Sequence, residues 1–276
     1  MRGRRDSARI SPTAHYTGHV WVRAGLAPPE LASLFGRAFH LASRPLLGAA
    51  SVPWPGLSLE GYLVERHRSI DAVLRRAIES EGLRQVVELG CGLSPRGYRF
   101  AREYGSEGLT YVEADLPAMA RTKAARLAAA GLLAPRHRVE AVDLLAEQGS
   151  ESLDSLATRV LDAEQGTAFV IEGVLTYFDR STMEALLARC AAVLGRFPRG
   201  LLVCSLELEG EAGSFTPAWA LIAFLKAFTG AAVQLHYGDA AEVSSAFEAA
   251  GFGTVTPHRP ADLLASSGTP QIVRIV

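Results

Sequence analysis

Hydrophobic and polar positions follow two regimes along the chain. From about residue 61 onward, short apolar runs alternate with longer stretches whose apolar positions recur at helical spacing. Residues 61–80 predict a helix, with Leu63, Ile70, Val73, Leu74 and Ile78 forming its apolar face. The run Gln85-Val86-Val87-Glu88-Leu89 predicts a strand, stopped by Gly90. Further strands are predicted at 109–114, 137–142, 168–171, 201–206, 253–256 and 271–276, and helices at 117–130, 151–163, 180–194 and 240–250. Strands that alternate with helices join through right-handed crossovers. The expected fold is therefore α/β, with a doubly wound, seven-stranded, mostly parallel sheet.

Residues 11–60 break this rhythm. They are rich in proline, glycine and aromatics and carry only short helical patterns, such as Pro29 to Phe35. We expect residues 1–60 to form an N-terminal helical cap or lid and residues 61–276 to form the α/β domain.

Composition adds mainly exclusions. A hydrophobic fraction of 49% with 21% charged residues describes an ordinary packed protein. Net charge is −1, and Lys123 and Lys226 are the only lysines, so no basic surplus points to nucleic acid. Cys91, Cys190 and Cys204 are scattered and lack CxxC spacing, which argues against disulfides and against a structural metal site. The basic start Met1-Arg2-Gly3-Arg4-Arg5 is followed by no apolar run, and no stretch reaches the ~18 apolar residues of a membrane span. A cytoplasmic protein with no membrane partner is expected.

Candidate chemistry gathers where strands end. Gly90 and Gly92 follow the first strand and precede a helix, where glycine permits positive φ and a close approach of backbone to ligand. A dinucleotide turn would need a third glycine at position 95, which is Pro95, and no Gly-Lys-Ser/Thr phosphate loop exists. No Tyr-x-x-x-Lys pair exists either, since Met119 and Ile222 stand four before the two lysines. Glu88 precedes the loop. Glu113 and Asp115, two apart at the end of the second strand, face the same side and can accept from ribose hydroxyls; Asp115 can instead cap the helix opening at Pro117. Asp143, followed by Leu144, closes the third strand, and Glu172 closes the fourth. An unpaired acid there would be costly, so Glu172 is expected to face the cleft.

The segments Arg66-x-x-x-Ile70-Asp71, Val86 to Phe100, Tyr111-x-Glu113-x-Asp115-Leu116-Pro117 with Lys123, and Glu172-Gly173-Val174-Leu175-x-Tyr177, taken in order, resemble the leucine carboxyl methyltransferase family. That family includes protein phosphatase carboxyl methyltransferases and bacterial polyketide O-methyltransferases. Thr13 to Trp21 also looks like bacterial members. The resemblance implies a class I, Rossmann-like methyltransferase sheet with its final strand antiparallel, and S-adenosyl-L-methionine as cofactor, which has no pyrophosphate and needs no third glycine. It further implies that Arg66 binds the methionine carboxylate, Gly90 the methionine moiety, Asp115 the ribose, and Asp143 with Leu144 the adenine. Glu172 would lie near the methionine amino group. The chain departs from the family at Ser94-Pro95, where Asp-Thr is common; Ser94 can cap the next helix and Pro95 can open it.

The expected activity is O-methylation of a carboxylate or hydroxyl on a small, partly apolar, natural-product-like molecule. A protein carboxyl methyltransferase and a non-catalytic scaffold of the same fold are the alternatives. Tyr16, Trp21, Tyr177 and Trp219 are candidate acceptor contacts. His15, His67 and His236 lie in segments that could cover the cleft, but the sequence singles out no catalytic base. The apolar stretch 216–228 reads as a core helix, a homodimer contact or a substrate lid.

Overall fold

The computed structural model describes residues 3–51, 59–208, 234–258, 260–264 and 274–275. Five strands build its sheet: β1 (Leu83–Leu89), β2 (Thr110–Asp115), β3 (His137–Ala141), β4 (Gly166–Ile171) and β5 (Gly200–Cys204). All four pairings are parallel and the spatial order is β3-β2-β1-β4-β5. The chain thus winds outward from β1 to β3 and then returns to the other side of β1. A switch point opens between β1 and β4, the place where open α/β sheets bind ligands.

Side chains alternate across each strand, so the sheet divides the core in two. Val87, Leu89, Phe169, Ile171, Leu202 and Cys204 face one layer, built from α6 (Leu153–Val160), α7 (Arg180–Leu194) and α8 (Ala240–Ala249). Val86, Tyr111, Ala168, Val170 and Val203 face the other, against α3 (Leu59–Glu81) and α4 (Arg96–Tyr104). A further helix, α5 (Pro117–Ala129), packs against β2 and β3. The helices predicted at 61–80, 117–130, 180–194 and 240–250 match α3, α5, α7 and α8 to within two residues at either end. Local capping explains the sharp starts. Asp179 accepts from the Thr182 N–H, and Asp239 accepts from those of Ala241 and Glu242.

Among the described residues, five strands rather than the expected seven join the main sheet. Pro257–His258 (β6) and Arg274–Ile275 (β7) pair only with each other, antiparallel. The strand predicted at 253–256 is displaced onto β6, and its Gly253, Thr254 and Thr256 are exposed. Pro257 brings no backbone donor to a ladder, which suits a short, peripheral pairing.

The N-terminal segment is more regular than its composition predicts. Gly3–Arg23 forms α1 and Leu34–Ser51 forms α2. Tyr16, Val20 and Trp21 of α1 bury against Phe39 of α2 and against Leu59, Tyr62 and Leu63 of α3. No helix among the described residues is long and apolar enough to cross a membrane. The segment 216–228, with Trp219, lies outside the described residues.

Candidate functional site

Parallel register places Leu89 beside Ala114 on one side and Ile171 on the other, with Ile171 beside Cys204. Residues just beyond these positions therefore converge along one edge of the sheet. Gly90 and Gly92 stand there with φ of +70° and +49°. A β-carbon at Gly90 would lie 2.6 Å from Val174 Cγ2, so both torsion and space require glycine. The turn is tied to β2 by the Gly90 and Cys91 N–H groups, which donate to the Ala114 carbonyl at 2.8 and 3.1 Å.

Asp115 completes this tie. One carboxylate oxygen accepts the Gly92 N–H and the other accepts the Leu116 N–H, each at 2.7 Å. The helix cap at α5 is Leu116, with no side-chain bond, so the capping role considered for Asp115 is absent. Burial pushes the Asp115 carboxyl above its ordinary value, and the two backbone donors offset this only in part.

Glu88 and Glu113 are cross-strand neighbours, both buried. Like charges side by side in the core would be costly, and each carries its own counter-ion. Arg96 Nη1 pairs with one Glu88 oxygen, and the Tyr111 hydroxyl donates to the other at 3.1 Å. Glu113 meets Lys123 Nζ at 2.7 Å and His137 Nε2 at 2.9 Å. Burial raises the Glu113 carboxyl, but Lys123 and His137 outweigh it and hold it below its usual range. Both acids are thus closed by protein partners.

Glu172 follows β4. Its Oε1 accepts from Arg66 Nε at 3.1 Å, and its Oε2 accepts from Arg96 Nη2 at 2.6 Å with His67 Nδ1 3.0 Å away. Burial would raise this carboxyl, yet His67, Arg96 and Arg66 together hold it well below the usual range. Arg66 also reaches Glu207 Oε1 at 3.6 Å, and Tyr62 donates its hydroxyl to that same oxygen. Asp143 forms a local turn, its carboxylate accepting the Leu145 N–H at 2.9 Å, and the Leu144 carbonyl accepts from Arg189 at 2.8 Å.

Helix α1 crosses directly above the glycine turn. A β-carbon at Gly18 would lie 2.9 Å from Leu93 Cβ, and one at Gly92 would lie 3.1 Å from Ala14 Cβ. Trp21 packs its ring 4.5 Å from that of His67. Tyr16 stacks against His40 and meets Phe39 edge-on. Both aromatics are almost wholly buried, at 3% and 2% exposure, and their faces are spent on protein contacts. Tyr177 donates to Thr13 Oγ1 at 3.3 Å. His236 Nε2 lies 3.3 Å from the Leu175 carbonyl, and His15 meets Phe35 edge-on. Burial lowers the pKa of both His15 and His236.

Of the residues expected at the site, Arg66, Gly90, Gly92, Asp115 and Glu172 come together along the strand edge. The sequence places Asp71 and Arg96 in family-like segments and His67 over the cleft, but assigns none of them the ionic role the structure gives them. A signal existed in α3, where Arg66, His67, Ser69 and Asp71 interrupt a mostly apolar buried face. The Ser94-Pro95 departure is accommodated, because Ser94 Oγ accepts the Arg96 N–H at 3.3 Å and Pro95 occupies the helix cap. Cys91, Cys190 and Cys204 are buried and none is in a disulfide. No cluster of three or more metal-binding side chains occurs among the described residues.

Fold and site together define a doubly wound α/β protein with a glycine turn and strand-end acids gathered at its switch point. The chain belongs to the leucine carboxyl methyltransferase family, whose pattern it matches over residues 42–191. A Streptomyces coelicolor protein named for S-adenosyl-L-methionine-dependent methyl transfer is 35% identical over 162 residues, covering 58% of this chain and 54% of that protein. Leucine carboxyl methyltransferase 1 of Schizosaccharomyces pombe is 44% identical over 48 residues, 17% of this chain and 16% of that protein. The chain spans about half the length of the first of these relatives. Among solved structures, a DUF574-family protein of Streptomyces avermitilis superposes with a TM-score of 0.57 at 18% identity, over 89% of this chain and 84% of that one. The methyltransferase SibL gives 0.52 at 19% identity, over 83% and 61%. At those identities the likeness speaks for the fold alone.

Proposed function

We propose that this chain is an S-adenosyl-L-methionine-dependent O-methyltransferase acting on a carboxylate or hydroxyl of a small, partly apolar molecule. The observation that carries the reading is the union of a bare glycine turn with the Asp115 carboxylate, at the switch point of a parallel sheet. When bound, S-adenosyl-L-methionine supplies an electrophilic methyl group on a sulfonium centre. Asp115 has two oxygens and spare lone pairs beyond its two backbone donors, so it can accept from ribose hydroxyls. Gly90 and Gly92 bring no side chain of their own to the turn, so its main chain can approach a cofactor beside Val174 and Ala14. Arg66 and Glu172 offer one cation and one anion to a zwitterionic amino-acid end. Asp143 and Leu144, just beyond β3, are the residues we assign to the adenine. Glu88 and Glu113, closed by their own counter-ions, hold the strand ends in place rather than touch the ligand.

We read helix α1, backed by α2, as a cap, since Gly18 and Ala14 of α1 pack on Leu93 and Gly92 of the half-buried glycine turn. A sulfonium loses its charge as the methyl departs, so holding the nucleophile close and dry matters more than stabilising an anion. A carboxylate acceptor arrives ionised and needs no base, whereas an alcohol would need one. Tyr177, hydrogen-bonded to Thr13 of α1, is the residue we assign to the acceptor. Calorimetric titration with S-adenosylhomocysteine tests the cofactor reading. Mass spectrometry of acids, phenols and leucine-terminated peptides, incubated with protein and labelled methyl donor, tests the acceptor. Silence towards S-adenosylhomocysteine at high micromolar concentration rejects the enzyme in favour of a scaffold.

A further inference from the structure

Arg96 is wholly buried and its guanidinium spans three acids from three different elements. Its Nε donates to Asp71 of α3 at 2.7 Å, its Nη1 to Glu88 of β1, and its Nη2 to Glu172 beyond β4 at 2.6 Å. Nη2 also reaches the His67 carbonyl at 3.3 Å. Arg99 closes the far side, with Nη1 2.7 Å from the second Asp71 oxygen. The acids differ in one respect. Asp71 and Glu88 side chains are sealed at 1% and 2% exposure, while Glu172 retains 8% and stands at the strand edge beside Arg66. The cluster is therefore anchored at two points and presents the third.

We infer that Arg96 is a positioning residue that fixes the Glu172 carboxylate to receive the ammonium of the cofactor's amino-acid end. This rests on the cofactor reading above. Arg96 is covered from the ligand and acts through Glu172. A planar fork with donors on three sides reaches three carboxylates at once, which the single ammonium of lysine cannot do. The charge matters as well as the shape, since Arg96 is one of the cations that keep Glu172 ionised in a buried setting, and only the ionised form attracts an ammonium. In the ligand-free arrangement Arg66 pairs with Glu172 directly. A zwitterion entering between them exchanges one internal ion pair for two external ones. Without Arg96, only His67 is left to hold Glu172 Oε2 away from Arg66, and that exchange is weakened.

The test compares two probes by calorimetry or by displacement of a fluorescent adenosine analogue. S-adenosylhomocysteine carries the amino-acid end and methylthioadenosine lacks it. Arg96→Lys is expected to weaken S-adenosylhomocysteine about 10- to 100-fold while moving methylthioadenosine less than about threefold, the loss of one charged hydrogen bond confined to one end of the ligand. Glu172→Gln, which keeps shape and removes charge, should give the same selective loss, and remains informative if Arg96→Lys fails to fold. The deaminated analogue of S-adenosylhomocysteine, which has no ammonium, should lose little further affinity in either variant. Equal weakening of all probes, or no weakening of S-adenosylhomocysteine, overturns the role assigned to Arg96. An unsubstituted protein that binds no probe sinks the cofactor reading itself.

Discussion

Asp115→Asn changes one oxygen to an amide nitrogen and leaves the side chain's shape almost intact. In the native protein both carboxylate oxygens accept a backbone N–H at 2.7 Å. An amide has one acceptor oxygen, so in either orientation its NH2 faces a backbone donor, Gly92 or Leu116. Losing one charge-assisted bond and leaving its donor unpaired costs about 1.5–3 kcal/mol. Part of this is offset, because burial already raises the Asp115 carboxyl and a neutral amide escapes that penalty. The expected net loss of unfolding free energy is about 1–2 kcal/mol, read from the urea midpoint at constant slope. Binding suffers separately. A neutral oxygen accepts ribose hydroxyls more weakly, and the turn it holds is displaced, so S-adenosylhomocysteine should bind about 5- to 30-fold less tightly, or about 1–2 kcal/mol. Wild-type affinity in a folded variant would falsify the ribose assignment. Wild-type stability would show that the carboxylate does not tie the glycine turn to β2.

Three other outcomes are expected. Gly90→Ala should lower stability by about 2–5 kcal/mol in urea titration, the sum of a left-handed alanine and an overpacked contact with Val174; adding Val174→Ala should recover only the contact part. Arg66→Ala should weaken S-adenosylhomocysteine by about 1–3 kcal/mol in calorimetry while leaving methylthioadenosine nearly unchanged. Acid should destabilise the fold through Glu172 and Asp71, whose folded carboxyls are held below their ordinary values against the pull of burial. The unfolded chain takes up protons first, so their contribution is present above about pH 4.5 and fades as pH falls below it. Urea midpoints in Glu172→Gln should therefore depend less steeply on pH in that range, and an unchanged slope would remove Glu172 from the account.

The alternation of strand and helix was legible because each element carries its own periodicity and punctuation. Gly90 ends β1, and Asp179 and Asp239 open α7 and α8 within four residues of where their side chains bond. A helical N-terminal segment was expected, but the length of α1 and α2 was not legible, for a reason that belongs to packing. Gly18 reads as a weak point in a helix, but it lets α1 approach Leu93 of the glycine loop, a contact seventy-five residues away that no local pattern shows. The last two strands failed differently. Their pairing partner is each other, and a run of apolar residues does not say which edge it joins.

At the site, parity was readable and depth was not. Glu113 and Asp115 share a face of β2 as the two-residue period requires. Yet Asp115 sits at the rim, where the glycine turn passes, while Glu113 lies one pleat deeper, closed by Lys123 and His137. The same distinction separates Glu88 from Glu172. Whether a strand-end acid serves a ligand or the core depends on which cation reaches it first, and those cations come from α4, α5 and α3. Arg96 settles the matter for Glu88, Asp71 and Glu172 together, by taking one oxygen from each. Burying one guanidinium against three carboxylates is unfavourable unless further cations join, and Arg99 on Asp71 and Arg66 on Glu172 supply them. The switch-point edge is thus an ionic network that must be complete to be stable, with Arg66–Glu172 as the pair at its rim. That rim pair is the one element of the network a zwitterionic ligand can replace without leaving a buried charge alone.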